Sequence, residues 1–363
     1  MKNSKTLLTL LAGTLIAGAA YGQVEVTITG STAFRAITID RAASLFDVQP
    51  PAGVTNDAST GLMTFNGTVS NAVPSLGATP VKIRLSFSGS AAGMIAVRNQ
   101  TGVPTAETPG VNVNKTPDLA LSDVFPGAAT PPLPESAFNR SQLGVIPFVY
   151  VKNSALVGIT NITREQAVLL MTASGAYVDE LGNPVPAMPA SYLGGVSTAP
   201  IYMVGRDSGS GTRITVEKDI GFVGTPTLWA TNAAGQYVLT NGFSSGGIER
   251  GVIANRSDAI GYLGRADYNS ISAFATAISY NGVAYSTANV QNGSYGLWGY
   301  EHIVNRAGGL SANQTLIRNA LIARIKDPVF QNTNPLYTSS FESLSSMHVE
   351  RGADGGTITS LDF

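Results

Sequence analysis

One unit recurs along the chain and constrains its fold more than any other feature: a short strand pattern, a turn of small residues, and then a helix pattern. The strand patterns are residues 24–29, 81–87 and 201–204, and the turns that follow them are residues 30–32, 88–90 and 205–212. In residues 24–29 apolar and polar side chains alternate, which is the period of a β-strand. Strands that alternate with helices predict an α/β architecture with largely parallel sheets.

Two further segments fit this architecture. Residues 145–151 form a nearly continuous apolar run, which predicts a buried parallel strand. Residues 310–326 predict an amphipathic helix that begins at Ser311, where Gln314 completes a capping box, and that ends before Pro328.

Two stretches do not follow the pattern. Residues 47–80 and 99–117 are rich in Gly, Ala, Thr, Asn and Pro. We predict that both are long surface excursions, and that the first contains a hairpin around Asn66-Gly67.

The first 22 residues have the pattern of a secretory signal. Lys2 and Lys5 precede a short apolar core, and the final Ala-Tyr-Gly fits the small-x-small rule for cleavage. The apolar run is too short to span a membrane comfortably and is interrupted by a Gly-Thr pair. We therefore predict cleavage near Gly22 and export of residues 23–363 to the periplasm or the medium.

The composition limits the chemistry of this chain. It has no Cys, which excludes disulfides, thiolate metal sites, catalytic thiols and lipid attachment to cysteine. Only two His are present, so a histidine-built metal centre is not expected, and we predict no cofactor. Lys and Arg total 22 against 23 Asp and Glu, and this balance argues against nucleic-acid binding. It leaves room for one small, locally basic anion site.

The strongest candidate for such a site is the Gly- and Ser-rich turn 205–212. Glycine permits the unusual φ values at which successive backbone N–H groups converge, and the predicted helix after the turn adds positive potential. Arg206 supplies a planar guanidinium suited to a tetrahedral oxyanion, and Ser210 and Thr212 add hydroxyl donors. Read alone, the turn fits better with a plain flexible turn that has a capping serine than with an anion site. It lacks the lysine of a nucleotide P-loop.

Three other segments add candidate ligands. Thr32-Ala33-Phe34 and Ser90 each lie where a strand pattern changes to a helix pattern, and each could simply cap its helix. Asp123 follows the short apolar strand 119–121. A carboxylate beside an anion is favourable only if the anion carries a proton, as hydrogen phosphate does and sulfate does not. Asp123 is otherwise a helix cap or a solvated loop acid.

Five segments in this order resemble the phosphate-binding protein of bacterial ABC transporters, a type II periplasmic binding protein. They are residues 28–34, 88–93, 118–123, 206–212 and 258–262, and the Arg-x-x-x-Ser-Gly-Thr run from Arg206 to Thr212 is the most specific of them. The chain departs from the family pattern at Ala33, where a threonine is common, and at Asp207, which follows the arginine directly.

The resemblance implies a two-lobed α/β fold with a double crossover hinge. Lobe 1 would comprise residues 23–145 and 265–363, and lobe 2 residues 146–264. It also implies a monomer that captures inorganic phosphate in the cleft between the lobes for an ABC permease. The implied ligands are Thr32, Ala33, Phe34, Ser90 and Asp123 from lobe 1, and Arg206, Ser210, Gly211 and Thr212 from lobe 2.

Two other functions stay open at this point. Residues 242–246 match the G-x-S-x-G motif of serine hydrolases, with Ser244 as the nucleophile and His302 or His348 as the base. A surface or scaffold protein could also keep the fold without transport. We favour the binding protein and predict that the chain is not an enzyme.

Overall fold

The computed structural model describes residues 22–57, 61–172, 177–178, 184–185 and 188–361, so the predicted signal segment lies outside the described residues except for Gly22. The strands are β1 Val24–Gly30, β2 Ala52–Asp57, β3 Leu62–Gly67, β4 Val81–Ser86, β5 Val103–Thr108, β6 Val111–Lys115, β7 Leu119–Ser122, β8 Phe138–Asn153, β9 Asn161–Ile162, β10 Tyr177–Val178, β11 Pro184–Val185, β12 Met188–Pro189, β13 Pro200–Met203, β14 Leu228–Thr231, β15 Tyr237–Thr240, β16 Ala259–Gly264, β17 Ala275–Ala277, β18 Ser279–Tyr280, β19 Trp298–Arg306, β20 Val349–Glu350 and β21 Thr359–Ser360. The helices are α1 Arg35–Ala43, α2 Ser90–Asn99, α3 Arg164–Thr172, α4 Gly211–Ile220, α5 Gly246–Asn255, α6 Arg265–Asn269, α7 Thr287–Gln291, α8 Ala312–Ile325, α9 Pro328–Thr333 and α10 Pro335–Thr338.

A large mixed sheet runs through the described part of the molecule. Its strand order is β12-β13-β16-β8-β19-β7-β1-β4-β3-β2, and β17 also pairs with β8. The strands β7, β1 and β4 are parallel to one another, as are β13 and β16. The antiparallel strands β8 and β19 join these two parallel groups. The predicted α/β architecture is confirmed. The prediction of a largely parallel sheet is wrong, because β2, β3, β8, β12, β17 and β19 all pair with their neighbours in the antiparallel direction.

The long strand β8 connects the two groups. Its residues 138–147 pair with β19, and residues 148–152 pair with β16. The apolar run 145–151 lies in this strand and is buried, but the prediction that it is a parallel strand is wrong. A continuous apolar run indicates that both faces of a strand are buried, but it does not indicate the direction of the neighbouring strands. The predicted limits of the two lobes stay a prediction.

Local signals in the sequence place several helix ends correctly. In α8, Ser311 and Gln314 form the predicted capping box, and the helix ends at Ile325 before Pro328 begins α9. Both hydrogen bonds of such a box satisfy N–H groups that the first turn of a helix leaves unpaired. Among the described residues, no helix is both long enough and apolar enough to cross a bilayer.

The two predicted surface excursions each contain a hairpin, formed by β2 with β3 and by β5 with β6. The turn predicted around Asn66-Gly67 is placed wrongly, because β2 ends at Asp57 and β3 already begins at Leu62. Gly67 instead pairs with Val81 of β4, so the Asn-Gly pair stays in the strand. The β2–β3 hairpin thereby extends the large sheet.

Candidate anion-binding site

The turns after the parallel strands meet in one place. In open α/β sheets, ligands bind beyond the carboxyl ends of the parallel strands, where loops from different strands converge. Here the start of α2, just after the β4 turn, contacts the turn after β13: the Ala91 N–H donates to the Gly209 carbonyl at 3.1 Å. Gly89 has a φ of 107°, and an added Cβ would lie 2.7 Å from the Gly209 oxygen. Only glycine allows both this conformation and this approach.

Arg206 is buried at the centre of the site and is held by backbone carbonyls. Its Nε donates to the Phe243 carbonyl at 3.0 Å, and its Nη2 donates to the Ser244 carbonyl at 3.0 Å. Nη2 also donates to Thr32 Oγ1 at 3.1 Å, which links predicted lobe 2 to predicted lobe 1. A guanidinium has five N–H donors, so these three bonds leave the two on Nη1 for other acceptors.

The segment that contains Thr32, Ala33 and Phe34 follows β1 and precedes α1. Thr32 Oγ1 accepts from Arg206 and keeps its own proton to donate. The Phe34 N–H is 3.3 Å from Ser31 Oγ, so this donor is already engaged within its own turn. Ala33 is half-buried, whereas Phe34 is fully buried and its ring packs edge-on against Phe341.

Ser90, Asp123 and Gly211 come from three distant segments and lie in contact. The Ser90 hydroxyl donates to Asp123 Oδ1, and the Asp123 N–H donates to Ser90 Oγ at 3.3 Å. Asp123 is only 1% exposed, so it is not a solvated loop acid. Burial raises the pKa of Asp123, while the Ser90 hydrogen bond and the charge of Arg206 lower it.

Ser210, Gly211 and Thr212 form the start of α4. Ser210 is the N-cap, and its Oγ accepts from the Arg213 N–H at 3.4 Å. Gly211 and Thr212 occupy the first two helical positions, whose N–H groups have no acceptor within a helix. These orphan donors and the positive end of the helix dipole favour an anion at this point.

Replacing Gly211 with Ala is expected to weaken binding of inorganic phosphate at least tenfold. A Cβ at this position would overlap the Asp123 carboxylate and crowd Ser90 Oγ, so the three segments could no longer meet. Titration calorimetry on the folded variant measures the effect. Gly251→Ala is the matched control, because its added Cβ in α5 meets nothing within 4 Å. If Gly211→Ala left the dissociation constant unchanged, the contact of Gly211 with Asp123 and Ser90 would not be part of the phosphate-bound state.

A second buried carboxyl group, missed by the sequence analysis, faces Asp123. The pairing of β19 with β7 ends at His302 opposite Ser122, and Glu301 and Asp123 are the next residues of the two segments. Glu301 is fully buried. Burial and then the charge of Asp123 raise the pKa of Glu301 well above its ordinary value. The adjacent Glu301 and His302, in the middle of a strand pattern, were the signal in the sequence that could have identified it.

Asp354 is a third buried acid near Asp123. Its Oδ2 accepts from the Phe125 N–H at 2.8 Å, and burial raises its pKa from 3.8 to about 7. The folded protein therefore binds this proton more tightly than the unfolded chain, so the associated stability is lost as the pH rises from about 4 to about 7.

We expect Asp354→Asn to remove this pH dependence. Over that range, the difference in free energy of unfolding between wild type and variant should change by up to about 4 kcal/mol, since one pKa unit corresponds to about 1.4 kcal/mol. Urea unfolding of both proteins at pH 4.5 and pH 8 measures it. Parallel pH profiles for the two proteins would contradict the raised pKa.

The G-x-S-x-G motif has a structural role in this arrangement. Its Phe243 and Ser244 carbonyls accept from Arg206, and the Phe243 N–H donates to the Gly205 carbonyl at 2.9 Å. His302 packs beside Arg140, Phe125 and Tyr300 instead of at Ser244. The placement of this motif therefore does not support the alternative that the chain is a serine hydrolase.

Comparisons with known proteins bear on the fold. The chain matches no protein-family model and no curated protein. Similar solved structures include a protein from Clostridium perfringens assigned as a phosphate ABC transporter substrate-binding protein, with bound phosphate (TM-score 0.55, 17% identity, 88% of this chain and 99% of that chain). Another is an ABC-type phosphate transport receptor from Vibrio cholerae (TM-score 0.53, 16% identity, 88% and 99%).

A third similar structure is assigned as a periplasmic metal-binding protein (TM-score 0.50, 12% identity, 88% of this chain and 96% of that chain). Neighbours with different ligands share this architecture, so the fold does not by itself specify what is bound. At these identities the likeness concerns the fold alone. The chain has the α/β fold of the periplasmic binding proteins, as the sequence predicted.

Proposed function

We propose that the mature chain is an exported solute-binding protein that captures inorganic phosphate, or a similar tetrahedral oxyanion, between its two lobes. The observation that carries the proposal is the meeting of Ser90, Asp123 and Gly211, with Arg206 reaching across to Thr32. These residues come from four separate turns, so local capping alone does not account for their convergence.

The chemistry of the site suits a protonated oxyanion. Arg206, the hydroxyl of Thr32 and the first N–H groups of α4 are donors, whereas the Asp123 carboxylate, which also accepts the proton of the Ser90 hydroxyl, is an acceptor. Neutral dipoles supply most of the attraction, which fits a chain with only 12% charged residues. A closed cleft strengthens these interactions because it excludes water.

The biological setting is part of the same proposal. Residues 1–22 would direct export, and the mature chain would act as a monomer that delivers its ligand to an ABC permease. The Clostridium perfringens and Vibrio cholerae neighbours support this setting, since their names associate them with phosphate and ABC-type transport. The proposal does not include catalysis.

Equilibrium dialysis of residues 23–363 against radiolabelled phosphate tests the function. We expect one phosphate per chain and a dissociation constant below about 10 μM, equivalent to roughly 7 kcal/mol of binding free energy. Folding is checked by circular dichroism on the same sample. A folded protein that retains no phosphate at millimolar concentration would refute the function.

A further inference from the structure

A cavity of about 530 Å³ lies beside the candidate anion site, between the two predicted lobes. One wall includes Thr32, Arg35 and Phe87, and the opposite wall includes Ser244, Ile248 and Arg250. Cavities of several hundred Å³ are the size that holds small organic molecules, and this one is far larger than a five-atom oxyanion requires.

The cavity adjoins the candidate anion site directly. Thr32 and Ser244 line it, and Arg206 Nη2 donates to the Thr32 hydroxyl at 3.1 Å and to the Ser244 carbonyl at 3.0 Å. A molecule with its phosphate group among the donors around Arg206 would therefore place its remaining atoms in the cavity.

Two arginines, Arg35 and Arg250, line the cavity, and Arg206 adjoins it. Arg250 Nη1 lies 3.0 Å from Asp267 Oδ1, so the Asp267 carboxylate is already ion-paired with Arg250. Within the described residues Arg35 makes no ion pair. Burial lowers the pKa of its guanidinium most, the charge of Asp267 raises it, and the charges of Arg206 and Arg250 lower it. The carboxylates of Asp267 and Asp57 are both near enough to raise the pKa of Arg35, so the three guanidinium groups have at least two carboxylates beside them.

We propose, on the basis of the proposed function, that the preferred solute is a phosphomonoester of a small carboxylic acid. Its phosphate group would bind the donors around Arg206, and its carboxylate would lie between Arg35 and Arg250. The short carbon chain would pack against Phe87 and Ile248. A carboxylate matches the planar fork of arginine, and Arg35 and Arg250 both line the cavity.

Two three-carbon esters test this inference, because 3-phosphoglycerate and glycerol 3-phosphate differ only in a carboxylate against a hydroxymethyl group. Calorimetry on residues 23–363 should show 3-phosphoglycerate binding at least tenfold more tightly than glycerol 3-phosphate and than inorganic phosphate. Arg35→Gln should bring the ratio between the two esters close to one. Arg98→Gln removes a charge from an exposed position in α2 and should leave the ratio unchanged.

The outcomes distinguish a failure of this inference from a failure of the proposed function. If inorganic phosphate binds and 3-phosphoglycerate binds no better, the inference is wrong and the phosphate-binding function stands. If both esters bind equally, or Arg35→Gln leaves their ratio unchanged, the carboxylate does not lie at these arginines and the inference is again overturned. If the folded protein binds none of the three anions, the proposed function itself fails.

Discussion

Replacing Arg206 with Lys is expected to weaken phosphate binding by more than tenfold, or about 1.4 kcal/mol, while the protein stays folded. The buried guanidinium donates in three fixed directions, to the carbonyls of Phe243 and Ser244 and to Thr32 Oγ1. Lysine keeps the charge but is a point donor on a flexible stem, so it cannot hold these contacts and also present a planar face to an oxyanion.

Calorimetric titration with phosphate measures the effect of Arg206→Lys. The matched control is Arg98→Lys, which makes the same change at an exposed position in α2 and should bind as wild type does. A thermal unfolding curve establishes that each variant is folded. A dissociation constant equal to that of wild type would show that Arg206 has only a structural role with the 242–246 turn.

Replacing Asp123 with Asn is expected to lower the ratio of phosphate affinity to sulfate affinity by at least about tenfold, or 1.4 kcal/mol. If the site only attracted negative charge, removing this acid would raise the affinities for phosphate and sulfate alike. In the proposed site the carboxylate would instead face the ligand as an acceptor, and the Ser90 hydroxyl already donates to it. Hydrogen phosphate can donate its proton there, whereas sulfate has none to donate near neutral pH.

The asparagine amide can turn its NH₂ group towards either anion. Phosphate should therefore lose a modest amount of affinity, and sulfate should gain. Paired titrations of wild type and variant at one pH and ionic strength give the ratio, and Asp118→Asn is a control because Asp118 instead accepts from the Thr27 N–H and the Gln314 amide. An unchanged ratio would mean that Asp123 does not touch the ligand.

The sulfate affinity of the wild-type protein should also depend on pH. Burial raises the pKa of Asp123, and the Ser90 hydrogen bond and the charge of Arg206 only partly oppose this effect. As the pH falls through that pKa, Asp123 becomes a donor and the affinity for sulfate should rise. The Asn variant lacks this titration, so its sulfate affinity should change less over the same pH range.

The turns of the candidate site were predictable because their signals are local. Glycine at positive φ, a small polar residue at a helix start, and an apolar strand just before them are all readable over a few residues. Gly89, Ser90 and Ser210 are examples, and the resemblance to a known family supplied the expectation that they converge.

The parts that the sequence could not predict depend on tertiary contacts. The direction of β8 is set by its neighbours β16 and β19, and no feature of its apolar run encodes it. Glu301 faces Asp123 only because β19 pairs with β7 in one register. Arg35 and Arg250 are brought to one cavity from opposite walls, and neither lies in a motif.

Calorimetric titration of residues 23–363 with phosphate and with sulfate, at neutral pH and fixed ionic strength, is the most direct test of a phosphate site at this cleft. We predict one site per chain, a dissociation constant for phosphate below about 10 μM, and sulfate binding at least about a hundredfold weaker, or 2.7 kcal/mol. A folded protein that gives no heat with millimolar phosphate, or that binds sulfate as tightly as phosphate, would contradict the assigned roles of Arg206 and Asp123.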